Sequence, residues 1–330
     1  MYKKTMKTKF MMMMAAAAMV LTSCSNDDET DNWNGEIRLS SGIEVQTRTT
    51  HNLDGYLKNG ETVHVWVDDA KDLQTSVTNE NLYQNNSLAV GNNGTLSGGT
   101  TMYFPQTGNK VNIYALHTNA ALTDNNFPGE LTHTVATDQK SSNTTAGGGY
   151  QGSDLVFTKV TSVGRTSETV NLPFTHLLSK IEVVLVQGLG SPTIQKVEIV
   201  NTQLEAKFTP SKTNKFNVAA TGDIAANPIE IDNGITTAEN AAKKDTEDGK
   251  ILNEAIIVPQ TLAKDTEFIR ITTTAGGVLT YKLPEEKAFA PKTKYRYTIT
   301  ANLSGLTVSS SISTWTEGTG DPNGSATMGN

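Results

Sequence analysis

The sequence predicts an all-β chain, two β-sandwich domains in tandem, and three observations lead there. Charged residues make up only 18% of the 330, against ~25% in an average soluble protein. Thr, Asn, Gly and Ser fill the difference: β-branched side chains suit a pleated surface, and Asn and Gly suit the positive φ of turns. Apolar residues alternate with polar ones in short runs, the period of strands with one buried face. Turn clusters such as Gly91-Asn92-Asn93-Gly94 and Ser97-Gly98-Gly99 separate those runs. Only Thr237 to Asp245 reads as helix. Many short strands with few helices favour sandwiches over a βα fold.

The first segments precede that fold. Lys3, Lys4, Lys7 and Lys9 lead into an apolar run of about a dozen residues, Phe10 to Leu21, and then Leu21-Thr22-Ser23-Cys24. These are the parts of a secretory signal peptide over 1–23, and the run is too short for a membrane span of ~20 residues. A box ending on Cys24 is a lipobox: the peptidase cuts before Cys24, whose thiol carries the lipid. Cys24 is the only cysteine, so acylation leaves no disulfide and no thiol nucleophile. Residues 24–35 form a lipidated, polar tether. Its Asp27-Asp28-Glu29 resembles the export signal that sends such lipoproteins to the cell surface.

Roughly 300 residues remain, enough for two domains of ~150, placed at 36–168 and 169–330. In the first, Ile37, Leu39, Ser41, Ile43 and Val45 alternate with Arg38, Ser40, Glu44 and Gln46, a half-buried strand with a weak spot at Ser41-Gly42. Val63 to Val67 and Val111 to Leu116 are further strands, and 138–152 is a polar loop. In the second, strands run over Lys180 to Gln187, Gln195 to Val200 and Ala255 to Val258. Phe268 to Leu283 folds back at Ala275-Gly276-Gly277, and Tyr295 to Leu303 pairs with Leu306 to Trp315 through Ser304-Gly305.

Reactive chemistry is sparse. The five histidines, His51, His64, His117, His133 and His176, show no metal-ligand spacing. His64 and His117 lie at strand positions and are expected as surface or turn residues, and His176 as a satisfied structural histidine. Gly152-Ser153-Asp154-Leu155 leads into a strand, unlike a nucleophile elbow, which leads out of one. Asp245-Thr246-Glu247-Asp248-Gly249 lacks the alternating ligands of a calcium loop. A net charge of −7 argues against a nucleic-acid partner. Neither an enzyme nor a cofactor is expected.

Four segments carry a family resemblance. They are Val45-Gln46-Thr47-Arg48-Thr49; Leu172-Pro173-Phe174-Thr175-His176-Leu177-Leu178-Ser179-Lys180-Ile181; Ile256-Ile257-Val258-Pro259-Gln260-Thr261; and Tyr295-Arg296-Tyr297-Thr298-Ile299 with Gly305-Leu306-Thr307-Val308 and Ile312-Ser313-Thr314-Trp315. In this order behind a lipobox, the chain resembles the fimbrillin family of type V pilin precursors over nearly its whole length. The second segment is similar to the family's L-x-F-x-H-x-L-S-K-[IL] signature. The resemblance implies two transthyretin-like β-sandwich domains, lipoprotein transit to the outer membrane, maturation by an arginine-specific protease, and polymerisation by strand exchange with copies of itself or other fimbrial subunits. The family also contains tip, anchor and non-polymerising members.

Elementary energetics points the same way. Four buried side chains, Ile37, Leu39, Ile43 and Val45, contribute roughly 6–12 kcal/mol, comparable to the ~5–15 kcal/mol stability of a typical domain. Cutting this first strand away leaves an open apolar groove that an extended segment can refill. The candidate donor is the C-terminal strand, with Leu306, Val308 and Ile312 alternating and Trp315 near its end. Of the five arginines, Arg38, Arg270 and Arg296 fall in strands and Arg165 in a loop. Arg48 is followed by polar Thr49-Thr50-His51-Asn52, and cutting between Arg48 and Thr49 detaches one whole strand plus the lipid. The function expected is a structural subunit of a surface fimbria serving adhesion and biofilm. The alternative is a monomeric surface lipoprotein that binds host glycan or protein, or a tip or anchor subunit.

Overall fold

A Thr-, Ser- and Val-rich chain broken by Asn-Gly turns forms strands, and strands dominate the computed structural model. It describes residues 33–43, 57–70, 81–122, 124–140, 148–187, 193–213, 217–225, 228–231, 254–302, 305–314 and 324–326. The chain separates into Met1–Trp33 and Asn34–Asn330; every element named below belongs to the second unit.

The first half contributes β1 (Leu39–Ile43), β2 (Thr62–Asp69), β3 (Asn81–Val90), β4 (Thr95–Ser97), β5 (Val111–His117), β6 (Leu131–Thr134), β7 (Val156–Val163) and β8 (Val170–His176). A short helix α1 (Gly149–Gly152) precedes β7. Next come β9 (Ser179–Gln187), β10 (Ile194–Ile199), β11 (Gln203–Thr209), β12 (Asn217–Ile224), β13 (Ile229–Ile231), β14 (Glu254–Ile257) and β15 (Gln260–Leu262). The last are β16 (Glu267–Thr273), β17 (Val278–Lys282), β18 (Lys287–Phe289), β19 (Thr293–Asn302), β20 (Gly305–Thr314) and β21 (Gly324–Ala326).

Strands β1, β4, β3, β2, β5, β7 and β8 close, in that order, into a barrel. Its pairings are antiparallel except β1 with β8, which run parallel from Leu39↔Val170 to Ile43↔Phe174. Period-two alternation gives each strand two faces. Val65↔Ala115 and Val67↔Ile113 share one face, and Trp66↔Tyr114 the other. Both faces are buried. The Trp66 face joins an apolar cluster that continues through Phe157 and Phe208 to Phe268, Tyr297 and Val308.

The remaining strands form a five-stranded sheet (β14-β9-β19-β20-β21), a four-stranded sheet (β13-β10-β16-β17), and smaller ones, β12-β11-β6 and β15-β18. β6 crosses from the first half to pair with β11, Leu131 opposite Phe208 and Thr134 opposite Glu205. Phe157 touches Phe127 and Phe208 at ring separations of 6.3 and 5.9 Å, so one core spans both halves. The barrel gives way to the other sheets between His176 and Ser179.

Every strand the alternation predicts over described residues is present. β3 and β12 escape sequence reading because Asn-rich Leu82-Tyr83-Gln84-Asn85-Asn86 reads as turn, and β12 is largely exposed with no alternation to detect. The polar loop expected over 138–152 needs correction at both described ends. Asp138 bridges Glu230 in parallel, and Gly149–Gly152 is a helical turn that buries Tyr150. The helix expected at Thr237 to Asp245 and the turn at Asp245 to Gly249 lie outside the described residues. Among the described residues no helix is long and apolar enough to cross a membrane.

Candidate functional site

The barrel closes through one short strand at the start of the fold. β1 sits between β4, where Leu39 opposes Leu96, and β8. The backbone just before it continues the pairing. Ile37 N donates to the Met102 carbonyl at 2.8 Å, Phe104 N to Gly35 at 2.9 Å, and Val170 N to Arg38 at 2.8 Å. Alternation turns Ile37 and Leu39 inward at 5% and 4% exposure, with Ser41 fully buried and Arg38 outside. β8 supplies Leu172 opposite Ser41 and Phe174 opposite Ile43, both of them fully buried. A residue lifted out of this slot would expose that apolar floor on both sides of the gap.

Ser41-Gly42, the weak spot of the sequence reading, is where β1 fits most tightly. The Ser41 hydroxyl donates to the Gly94 carbonyl at 3.2 Å, which satisfies the one polar group facing inward. A Cβ on Gly42 would lie 2.6 Å from Asn171 Oδ1, so glycine is what lets β8 lay Asn171 across the strand. Gly35, at φ +92°, receives the Arg165 guanidinium in the same manner, 2.7 Å from where a Cβ would be.

β20 forms the other end of the site. It pairs with β19 along all ten residues, Gly305↔Asn302 to Thr314↔Thr293. On its opposite edge β21 covers Val308 to Ser310 alone among the described residues. Leu306 and Val308 are buried, whereas Ile312 is 44% exposed.

The signature segment between the halves is structural throughout. Leu172, Phe174, Leu178 and Ile181 are fully buried. His176 Nδ1 donates to Asp154 Oδ1 at 3.1 Å, both residues buried, which bears out its reading as a structural histidine. Ser179 Oγ donates to the Ala290 carbonyl at 2.8 Å. Lys180, fully buried, meets Glu254 at 2.9 Å and Glu182 at 3.8 Å, and Arg296 completes the network at 2.8 Å from Glu182. Burial works to raise the Glu182 pKa, yet Lys180, Arg296 and Lys294 together hold it below the usual carboxylate value. Gln260 of the V-P-Q segment donates to the Val258 carbonyl at 2.9 Å and accepts from Gln203 N at 2.8 Å, tying β15 to β11.

One histidine departs from expectation. His117 is not at the surface: it lies in β5 at 2% exposure, Nδ1 donating to the Thr62 carbonyl at 2.9 Å. His64 lies within β2, 2.7 Å from Asn85 Oδ1, and burial lowers its pKa. His133 is wholly buried. Its Nε2 donates to the Ser153 carbonyl and its Nδ1 accepts from Thr118 Oγ1, both at 2.9 Å, and burial pushes its pKa down to about 4. Ser153 Oγ donates to the Gly149 carbonyl and accepts from Ala136 N. Among the described residues no group of His, Cys, Asp and Glu is placed to hold a metal.

Cys24, Val45, Arg48, Thr49 and Trp315 lie outside the described residues, as does the side chain of Ile43. Arg270 and Arg296 lie in strands, Arg38 directly precedes β1, and Arg165 is exposed in a loop. Sequence reading missed Gln139. Buried at 2% exposure, its Nε2 donates to the Ile256 carbonyl at 2.9 Å and its Oε1 accepts from Ile256 N at 2.7 Å. A side-chain amide thus occupies the free edge of β14 as a further strand would. A lone Gln in a polar loop offers no sequence signal for that role.

The profile of the Fimbrillin-like family matches residues 47–315. A Bacteroides uniformis protein named fimbrium subunit Fim1C is 24% identical over 338 aligned positions, covering 96% of this chain and 97% of its own. A solved cell adhesion protein from Bacteroides uniformis ATCC 8492 superposes with a TM-score of 0.56 at 21% identity, over 86% of this chain and 100% of that one. Another from Bacteroides ovatus ATCC 8483 gives 0.60 at 16% identity, over 85% and 97%. At those identities the two structures establish a shared fold.

Proposed function

The chain belongs to the fimbrillin-like family, and on that premise we propose that it is a fimbrial subunit of the cell surface, exported as a lipoprotein on Cys24, cut after Arg48 by an arginine-specific protease, and polymerised by strand exchange in the service of adhesion and biofilm. One observation carries the proposal: β1 alone bridges β4 and β8, and it lies in the segment that a cut after Arg48 would free. Loss of β1 leaves two unpaired strand edges over the Leu172–Phe174 floor, the requirement for β-augmentation by another chain. The partners are copies of itself or other fimbrial subunits, with the outer membrane holding the precursor. The proposal assigns no catalysis, in keeping with Ser153 and His133 being engaged in buried structural bonds.

N-terminal sequencing of assembled surface material tests it. Chains beginning at Thr49 are the expected result, with Arg48→Ala accumulating as lipid-tethered monomer of unchanged fold. Fimbriae built from chains that still begin at Cys24 would overturn strand exchange at this site and favour the monomeric adhesin. Cys24→Ser should abolish fatty-acid labelling; equal label in the variant would remove the lipoprotein reading.

A further inference from the structure

Asp68 and Asn81 stand directly opposite each other where β2 pairs with β3, so their side chains lie side by side on one face. By the period of two, it is the face of Trp66 and Tyr114. Lys212, just beyond β11 in the second half, extends onto that face. Its Nζ donates to the two Asp68 oxygens at 2.7 and 2.9 Å and to Asn81 Oδ1 at 3.3 Å. The rings of Tyr114 and Phe127 flank it, their centroids 5.1 and 5.3 Å away. Asp68 is fully buried, whereas Asn81 stands at the exposed rim. The backbone of Lys212 is gripped as well, since Lys159 Nζ of β7 donates to its carbonyl at 2.9 Å. An amine, a carboxylate in contact with it and a carboxamide within reach are the parts of an amide exchange.

We propose that Lys212 and Asn81 become joined by an intramolecular isopeptide bond, which the chain forms by itself with Asp68 as base and acid. Asp68 takes a proton from the Lys212 ammonium along their short hydrogen bond and leaves a free amine. Nζ adds to Asn81 Cγ, and a carbon–nitrogen bond forms. Through Asp68, one proton passes from Nζ to Asn81 Nδ2. The Cγ–Nδ2 bond then breaks, and the departing ammonia takes up the proton left on Asp68 and goes as ammonium. Nothing is oxidised or reduced, no co-reactant is consumed, and Asp68 returns as a carboxylate.

The fold supplies what this step needs. Fixing the three groups in contact replaces the encounter that makes amide exchange slow in water. An adjacent carboxylate is the base that activates a lysine nucleophile. Burial, and after it the charge of Asp68, pushes the Tyr114 hydroxyl up to about 12. Such a site is poor in water, where passing a proton from ammonium to carboxylate removes two costly charges. The exposed rim at Asn81 gives ammonia a way out. The bond would run from β3 of the barrel to the segment after β11, a covalent tie between the two halves. It involves neither β1 nor β20, so it stands or falls independently of strand exchange.

Peptide mapping of the full chain by mass spectrometry tests this. The expected product is a branched peptide joining the segments around Asn81 and Lys212, lighter than their sum by one ammonia, with trypsin failing to cut after Lys212. Asn81→Ala and Lys212→Arg should each abolish it while circular dichroism shows the strand signal unchanged. Asp68→Asn, which keeps the size of the side chain and removes the base, should leave the two peptides separate in a folded chain. Separate peptides of full mass from the folded parent chain would overturn the proposal and leave Lys212 as an ion-pair partner of Asp68. A loss of ammonia that maps to an Asn-Gly step, such as Asn59-Gly60, would overturn it as well, because that is ring closure on the backbone and no cross-link. A branched peptide that persists in Asp68→Asn would overturn the part given to Asp68. If that variant does not fold, the parent chain and the other two variants still decide whether the bond exists.

Discussion

The molecule closes two sheet edges by different means. The barrel is closed by β1, a strand near the start of the fold that only one backbone connection ties to the rest. The edge of β14 is closed by Gln139, whose amide gives and takes a hydrogen bond with the Ile256 backbone. Gln139 is held in turn by its own backbone N on Glu230 and by the Asp138–Glu230 bridge, with Lys140 3.2 Å from Glu230. That strap is internal to the chain, anchored on one side by β6 in the β11 sheet and continuing on the other toward α1. One cut removes β1; no single cut removes the strap. On the strand-exchange reading proposed above, chain position separates a replaceable closure from a permanent one, although both satisfy the same unpaired backbone groups.

The largest expected effect comes from removing β1. A chain beginning at Thr49 and held monomeric loses the burial of Ile37 and Leu39, at least ~3–6 kcal/mol, and thermal denaturation should fall by ~10 °C or more. A peptide spanning 36–46, added in trans, should restore most of it. Failure of every strand peptide to restore it would make β1 as permanent as the strap and break the comparison.

Gln139→Ala strikes the other closure. It strands the Ile256 N–H and C=O and the Ala136 C=O, which Nε2 also reaches at 3.0 Å, a loss of about 3–5 kcal/mol in chemical denaturation. No added peptide should rescue it, since the freed edge lies under the strap. Rescue in trans would show that this edge too is exchangeable.

Acid should loosen the strap side before β1. His133 sits on β6 with a folded pKa of about 4 against 6.5 unfolded. The unfolded chain takes up the proton first, so this contribution is intact above pH 6.5. It is lost as pH falls toward 4, by about 3 kcal/mol in all. Glu182 and Glu198, both held below the ordinary glutamate value of 4.5, lose theirs only further down. Hydrogen exchange at pH 5 should rise in 131–134 before it rises in 35–43, and His133→Gln should flatten the pH dependence between 6.5 and 4. An unchanged slope in that variant would place the acid sensitivity elsewhere.

The smallest effect tests how β1 is seated. Gly35→Ala must adopt φ +92° and push aside the flexible Arg165 guanidinium, costing about 1–2 kcal/mol. Exchange protection at Ile37 should drop while that at Ile256 stays constant. Equal loss at both would mean that the two closures are mechanically one.

Much of this was legible in the residues. Period-two alternation located β1 and β20, named Ile37, Leu39, Leu306 and Val308 as inward-facing, and left Arg38 outside. The signature segment was recognisable as text, but its physical roles were not. That His176 meets Asp154 and Lys180 meets Glu254 depends on residues 22 and 74 positions away in sequence. His117 was misplaced because a strand buried on both faces, such as β5, breaks the rule that polar means exposed.

By itself, the sequence determined the local facts: β-rich composition, the strands that alternate and where turns fall. These follow from propensity and side-chain period, which involve only neighbouring residues. Tertiary structure alone decided which edges meet. The parallel seat of β1 on β8, the passage of β6 into the β11 sheet and the Gln139 closure of β14 are choices among backbone partners. Every strand offers the same N–H and C=O groups to any other, so the choice is made by long-range packing, where burial of Leu172, Phe174 and Phe208 selects one pairing from many.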